Sequence, residues 1–181
     1  PFAADIYAFD FEYHPVNGVE GNSPDPVCLV VLDLKTGVTC RYFREQLQAR
    51  GVAPFDTGPD SIWVSFYAPA EMDCFIQLGW PLPDNVLDLF VEFRNLTNGR
   101  TLPHGASLLG AMAYYGLASI APAEKVAMRD LILSRGPWSE KQESEILDYC
   151  QSDVDALAQL FLKMKSLIDW PRALLRGHYM K

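Results

Sequence analysis

The N-terminal part of the chain consists of short apolar runs separated by turn residues, a pattern typical of β-strands. Residues 5–13, 27–34 and 38–43 are rich in β-branched and aromatic side chains and predict three strands. Residues 35–37, Lys-Thr-Gly, have the composition of a hairpin turn between the second and third strands. The chain therefore begins with a small antiparallel unit.

The pattern changes after the third strand. Residues 44–60 contain a short helical piece and a loop rich in Pro, Gly and Asp, and residues 61–66 predict a fourth strand. A helix is predicted over residues 69–78, and residues 85–89 predict a short strand that runs into a helix through Phe93. Strands and helices thus alternate in the middle of the chain.

The remainder, from about residue 107, is predicted to be helical. Ser139 and Gln142 fit a capping box and open an amphipathic helix that we expect to reach residue 168. A hairpin, further strands and helices on both sides indicate an α/β or α+β domain of three layers. The RNase H-like arrangement, an α/β fold with a central mixed sheet flanked by helices, has this order, and we predict it.

Composition limits the possible functions. With 181 residues, 49% of them hydrophobic, the chain suits one compact domain with a sizeable core. The net charge of -8 gives no indication of a broad basic surface that binds nucleic acid by counterion release. An enzyme acting on nucleic acid would have to bind its substrate locally.

The location and extent of the protein are also suggested by the sequence. The four cysteines are scattered without a CxxC pair, which indicates reduced core residues. We find no run of 18 apolar residues and no basic-then-apolar leader, so we expect a cytoplasmic protein without a membrane span. Because the chain begins at Pro1 and ends abruptly at Lys181, we expect a fragment of a larger protein.

Two carboxylates lie in the first predicted strand. Asp10 and Glu12 project from the same face about 7 Å apart, while Phe9 and Phe11 point to the other face. A half-exposed strand face is the alternative interpretation. The run is aromatic and apolar, however, and buried carboxylates need a metal ion, a partner or a proton.

A third carboxylate comes from the last long helix. Its apolar face contains Ile146, Cys150 and Val154, and Asp153 lies beside this face rather than on the wet one. Tyr149, one turn earlier, points the same way. Asp153 alone could be a boundary residue, but three inward carboxylates together favour a metal site.

These residues resemble a known family. Phe-Asp-Phe-Glu at residues 9–12 and Tyr-x-x-x-Asp at residues 149–153 resemble the first and third motifs of the DEDD 3′→5′ exonucleases, in their tyrosine-containing branch. The likeness is strongest to the proofreading exonuclease domain of family A, DNA polymerase I-like, enzymes. It implies an exonuclease domain over residues 1–170, followed at residues 171–181 by the start of a linker toward a polymerase region.

The second family motif differs in this chain. The family places an acid at a helix start with a glycine eight residues later, and Glu71 with Gly79 fits this frame. Tyr67 then replaces the family's asparagine. Asp73 has the usual residue type but the wrong spacing, so both acids remain candidates and we prefer Glu71. We expect Asp88 to cap or brace the helix that follows its strand.

The resemblance implies two-metal hydrolysis of phosphodiesters with Mg²⁺ or Mn²⁺. Asp10 would bridge both ions, Glu12 and Asp153 would complete one, and Glu71 would bind or orient the other through water. Tyr149 would hold the attacking water by a hydrogen bond. The implied substrate is the 3′ end of single-stranded DNA, and the implied partner is a covalently linked polymerase domain.

Two other functions stay open at this point. One is an RNase D-like 3′→5′ exoribonuclease. The other is a catalytically degenerate domain that serves as a structural platform, which the acid substitution at Glu71 suggests. A zinc site is not expected, because the three histidines lack ligand spacing and fit solvated or boundary positions: His14, His104 and His178.

Overall fold

The computed structural model describes residues 4–15, 24–117 and 122–181. The strands in this part of the chain are β1 (Asp5–Pro15), β2 (Pro24–Asp33), β3 (Thr39–Phe43), β4 (Ser61–Ser65) and β5 (Val86–Asp88). The helices are α1 (Arg44–Gln48), α2 (Ala68–Gln77), α3 (Leu89–Leu96), α4 (Leu108–Tyr114), α5 (Pro122–Leu133), α6 (Glu140–Met164) and α7 (Trp170–His178).

The strands form one mixed sheet in the order β3-β2-β1-β4-β5, with β1 at its centre. β1 pairs antiparallel with β2 and parallel with β4, while β2–β3 is antiparallel and β4–β5 is parallel. The predicted hairpin between the second and third strands is confirmed. Its Gly37 has a φ of 74°, a conformation that glycine adopts without strain.

Helices cover both faces of this sheet. Ala8 on β1 belongs to a core that includes the buried stripe of α6, whereas Phe9 and Phe11 belong to a second core that includes α2. This division follows from the alternation of side chains along a strand. The predicted three-layer α/β architecture, with a central mixed sheet, is therefore confirmed.

Helix α6 begins as predicted. Ser139 accepts a hydrogen bond from the backbone N–H of Gln142, whose side chain accepts one from the backbone N–H of Ser139. The helix ends at Met164 rather than at residue 168. Asp169 caps a new helix there, because its side chain accepts from the backbone N–H of Arg172.

The helical region predicted from about residue 107 contains α4 and α5, among the described residues, before α6 begins. Ser107 caps α4 by accepting a hydrogen bond from the backbone N–H of Gly110. Residues 118–121, within the predicted helical region, lie outside the described residues. Among the residues that are described, no helix combines the length and apolarity needed to cross a bilayer.

Residues 171–181, which the sequence predicts as the start of a linker, lie mostly in α7. This helix packs closely on β5: a Cβ added to Gly177 would lie 1.8 Å from the carbonyl oxygen of Val86. Arg176 also donates two hydrogen bonds, of 2.8 and 2.6 Å, to the buried carboxylate of Glu92 on α3. That a polymerase region follows α7 stays a prediction.

Candidate metal centre

Asp10 and Glu12 lie on β1 beyond the end of its pairing with β4. That pairing extends from Asp5 to Ala8, whereas β2 continues alongside β1 on the other side. Both carboxylates are partly buried. The carboxyl end of the central strand therefore has one open side, where other elements can approach the two acids.

Helix α6 brings Asp153 to this place. One ligand atom of each of Asp10, Glu12 and Asp153 lies within 4.8 Å of the others. The thiol of Cys150 donates to the carbonyl oxygen of Asp10 at 3.2 Å, which fixes α6 against β1 one turn before Asp153. We call these three carboxylates the acidic cluster. Strand alternation and helix phase together predict their meeting.

Glu71 approaches β1 from the opposite layer. It lies in the first turns of α2, is 4% exposed, and accepts a 2.9 Å hydrogen bond from the backbone N–H of Phe11 on its Oε2. That N–H has no β4 neighbour, because β4 pairing has ended at Ala8. Burial, and next the charge of Asp10, raise the pKa of Glu71 well above its ordinary value.

Asp88 holds the start of α2 in position. Its carboxylate accepts 3.0 Å hydrogen bonds from the backbone N–H groups of Tyr67 and Ala68, and one of 2.8 Å from that of Phe90. The predicted capping of the helix after its strand is confirmed. Asp88 additionally stabilises Tyr67, which has a φ of 81°, an uncommon conformation for a non-glycine residue.

Asp73, the rival of Glu71, is placed differently. It is exposed on α2, whereas Glu71 faces β1. Gly79, which set the family frame, follows the C-cap residue Leu78 with a φ of 67°, the left-handed position at which helices favour glycine. The structure thus brings Glu71, and not Asp73, toward the acidic cluster.

Tyr149 lies one turn before Asp153 on α6 and is partly buried. Its hydroxyl hydrogen-bonds the carboxylate of Asp153. Burial, followed by the charges of Asp153 and Glu12, raises the pKa of Tyr149. The phenol therefore stays protonated at neutral pH and acts as a hydrogen-bond donor beside the acidic cluster.

Tyr13, the residue after Glu12 on β1, interacts electrostatically with the acids of the cluster. A bulge between Glu12 and Tyr13 interrupts the pairing with β2. Burial, and next the charge of Glu71, raise the pKa of Tyr13 to about 12. The β1 run thus supplies an additional protonated hydroxyl near the acids.

His14 was wrongly expected to be solvated or at a boundary. It is 1% exposed and donates from Nε2 to the carbonyl oxygen of Ile132, while its Nδ1 lies 3.1 Å from Nη2 of Arg44. Its ring stacks on Trp138 at 5.7 Å between centroids. His104 and His178 are exposed, as expected.

The acidic cluster has the donor chemistry of a hard-metal site. Carboxylate oxygens are the ligands that Mg²⁺ and Mn²⁺ prefer. Among the described residues, no other group of three or more His, Cys, Asp or Glu side chains brings its ligand atoms this close together. The cluster is therefore the candidate metal centre.

Comparisons with known proteins establish the fold. No protein-family model matches the chain, and no curated protein sequence matches it. Among solved structures it is similar to Trypanosoma brucei RNase D, with a TM-score of 0.58 and 16% identity, over 88% of this chain and 57% of that chain. The predicted RNase H-like α/β fold is thereby confirmed, and the more specific likeness to polymerase proofreading domains stays a prediction.

Proposed function

We propose that this chain is a 3′→5′ exonuclease that requires divalent metal ions and hydrolyses phosphodiester bonds at the 3′ end of a single strand. One observation carries the proposal: Asp10, Glu12 and Asp153 meet beside the central strand, beyond the end of its pairing with β4, with ligand atoms within 4.8 Å. The fold shared with a protein named as an RNase supports the reaction class.

The chain's own residues fit the metal that this chemistry needs. Asp10, Glu12 and Asp153 would hold Mg²⁺ or Mn²⁺ through hard oxygen ligands. Glu71, held by the N–H of Phe11, extends the acidic surface toward α2. When bound, two such ions neutralise the phosphate charge and stabilise the attacking and leaving oxygens.

Tyr149 is the residue that we assign to the attacking water. Its hydroxyl already engages Asp153 and stays protonated, so it can hold a water molecule by a hydrogen bond but is a poor base. Positioning of this kind lowers the entropy lost in reaching the transition state. We therefore propose Tyr149 as a catalytic residue that orients rather than deprotonates.

We propose single-stranded DNA as the substrate and proofreading beside a covalently linked polymerase domain as the role, in the cytoplasm. The motifs at residues 9–12 and 149–153 support this choice, because they resemble those of family A polymerases. The second candidate is an exoribonuclease, which the fold shared with RNase D favours.

Degradation of 5′-labelled single strands tests the proposal directly. With Mn²⁺ or Mg²⁺ we expect products that shorten progressively from the 3′ end, and with EDTA we expect none. Matched DNA and RNA strands of one sequence decide between the two substrates. Intact strands under all metal conditions would instead identify the chain as a structural platform, and metal-independent cleavage would contradict the proposed chemistry.

A further inference from the structure

A pocket of about 520 Å³ opens between the start of α1 and the segment that leads into α6. Six of the side chains that line it matter here, and we call their site the Trp138 pocket: Arg44, Glu45, Arg135, Trp138, Glu143 and Leu147. None of these residues belongs to the acidic cluster. The pocket is large enough for one nucleotide unit.

Two elements place this pocket close to the acidic cluster. Along β1, Pro15 is three residues beyond Glu12, about 10 Å in a strand, and its carbonyl oxygen accepts a 2.8 Å hydrogen bond from Nη2 of Arg135. Along α6, Leu147 precedes Asp153 by six residues, about 9 Å in a helix. Both elements therefore place the pocket on the order of 10 Å from the acidic cluster.

The aromatic side chain in the pocket is held rigidly. The indole N–H of Trp138 donates to the carbonyl oxygen of Leu131 at 3.1 Å, and the ring stacks on His14 with an interplanar angle of 13°. The guanidinium carbon of Arg44 lies 5.7 Å from the ring centroid of Trp138. A fixed aromatic ring beside arginine is the arrangement on which proteins bind single-stranded nucleic acid.

Arg135 lines the pocket and joins it to the end of β1. Its backbone has a φ of 63°, which costs energy for a non-glycine residue and fixes the direction of the side chain. Its guanidinium is anchored on Pro15 at the carboxyl end of β1. This position suits a contact with the backbone of a strand that leads away from the acidic cluster.

The charges of the pocket select the ligand. Arg44 and Arg135 are offset by Glu45 and Glu143, and Arg44 is already paired with Asp25 at 2.9 Å. A free phosphate or a mononucleotide dianion would meet no excess of positive charge. A nucleotide inside a strand carries only one phosphate charge, and its base can stack on an aromatic ring.

We propose that the Trp138 pocket binds an upstream nucleotide of the single strand whose 3′ end lies at the acidic cluster. This assignment rests on the proposed function. A separation of 9 to 10 Å corresponds to about three stacked base steps at 3.4 Å each. Strands that reach the pocket are therefore bound more tightly than those too short to reach it.

Three variants test the assignment with two substrates. Arg135→Gln removes the cation that joins the pocket to the end of β1, and Glu143→Gln removes an acid from the pocket. Arg172→Gln is the matched control, because Arg172 is exposed on α7, which packs on β5 at the opposite edge of the sheet from β3. The substrates are the p-nitrophenyl ester of thymidine monophosphate, which is too short to reach the pocket, and an oligothymidine octamer.

We expect Arg135→Gln to raise KM for the octamer about 10-fold, the scale of one charge-assisted hydrogen bond, and to leave the ester unaffected. Glu143→Gln should lower KM for the octamer, and Arg172→Gln should change neither substrate. Equal losses on ester and octamer, equal losses in Arg135→Gln and Arg172→Gln, or unchanged octamer kinetics in both pocket variants would overturn the assignment.

Equilibrium binding separates this assignment from the proposed reaction. The anisotropy of a 5′-labelled octamer is measured in EDTA, where hydrolysis is not expected, with a labelled dinucleotide as the short reference. Weaker octamer binding by Arg135→Gln and stronger binding by Glu143→Gln support the pocket even if no hydrolysis occurs with metal. Octamer binding that neither pocket variant changes overturns it, even if the wild-type chain is an active nuclease.

Discussion

The backbone N–H of Phe11 donates to Oε2 of Glu71 at 2.9 Å, which joins the central strand to the first turns of α2. The pairing of β4 with β1 ends at Ala8. The hydrogen bond to Glu71 therefore takes the place of one that a longer β4 would have made with Phe11. It also places a third chain segment beside Asp10, which neighbours Phe11. Acidic side chains from β1, α2 and α6 therefore come together where the pairing of β1 with β4 ends.

Replacing Glu71 by glutamine should weaken catalysis and stabilise the protein without metal. Glutamine keeps an oxygen for the N–H of Phe11 but removes a buried charge that Asp10 opposes. Because the folded protein raises the pKa of Glu71, the stability this group contributes is present at low pH and is lost as pH rises. In EDTA, Glu71→Gln should therefore melt above the wild type at high pH, with a difference that shrinks toward acidic pH.

Asp73→Asn is the matched control for this change, because Asp73 is exposed on the same helix. It should leave both exonuclease activity and the melting temperature nearly unchanged. If Asp73→Asn loses most activity and Glu71→Gln little, the assignment of the second motif is wrong.

Divalent metal should raise the melting temperature through the acidic cluster. A ligand that binds only the folded state stabilises it by about 2.7 kcal/mol at 100 times its dissociation constant. Asp153→Asn should abolish most of the shift produced by Mn²⁺, because it removes one of the three clustered ligands. Thermal scans with and without Mn²⁺ measure this directly.

Asp155→Asn serves as its control, since Asp155 is exposed on α6 two residues away. Its Mn²⁺ shift should equal that of the wild type. A full shift in Asp153→Asn would mean that metal binds elsewhere.

The predictable part of the site depends on periodicity within single elements. Strand alternation put Asp10 and Glu12 on one face, and helix phase turned Asp153 inward, so these positions followed from local sequence. The contact between Glu71 and Phe11 could not be derived in this way. It depends on where β4 stops pairing with β1, and no periodicity in the residues around Glu71 shows that this side chain meets Phe11.

Burial and docking were harder to predict for the same reason. His14 is buried because Trp138 stacks on it and Ile132 accepts from it, and both partners are distant in sequence. The sequence predicts a linker after Trp170, whereas in the structure Arg176 on α7 pairs with Glu92 on α3. Each of these contacts joins residues whose local sequence shows no sign of the partner.

Asp88 should be needed for both stability and activity, because it accepts hydrogen bonds at the starts of two helices. Asp88→Ala should lower the free energy of unfolding by about 2–4 kcal/mol, the scale of two lost caps. It should also lower kcat, since α2 carries Glu71. Chemical denaturation and exonuclease assays measure the two effects. Asp84→Ala, in an exposed loop, is the control and should change neither the free energy of unfolding nor kcat. If Asp88→Ala were as stable as the wild type but inactive, Asp88 would have a direct role in the reaction.

Gly177→Ala should destabilise the fold through α7. The added Cβ would lie 1.8 Å from the carbonyl oxygen of Val86, so the helix must shift and strain its ion pair with Glu92. We expect a loss of about 3 kcal/mol in the free energy of unfolding, at the upper end for overpacking.

Gly51→Ala is the control, because a Cβ there meets nothing within 4 Å. The Mn²⁺-induced shift should persist, and a stability equal to that of Gly51→Ala would show that α7 is not docked on β5.

Tyr149→Phe isolates the role of one hydroxyl. The ring keeps its packing on α6, while the hydrogen bond to Asp153 and the oxygen that would accept from a water molecule are both lost. Because a neutral phenol is a poor ligand for Mg²⁺, metal affinity should stay nearly constant. The maximal rate should fall about 10- to 100-fold, the scale of a lost positioning or proton-handling group.

Single-turnover hydrolysis at saturating metal measures the rate, and the Mn²⁺ melting shift measures affinity. Tyr179→Phe, on an exposed tyrosine, should match the wild type in both. An unchanged rate would make Tyr149 a packing residue, whereas a lost metal shift would make it a ligand.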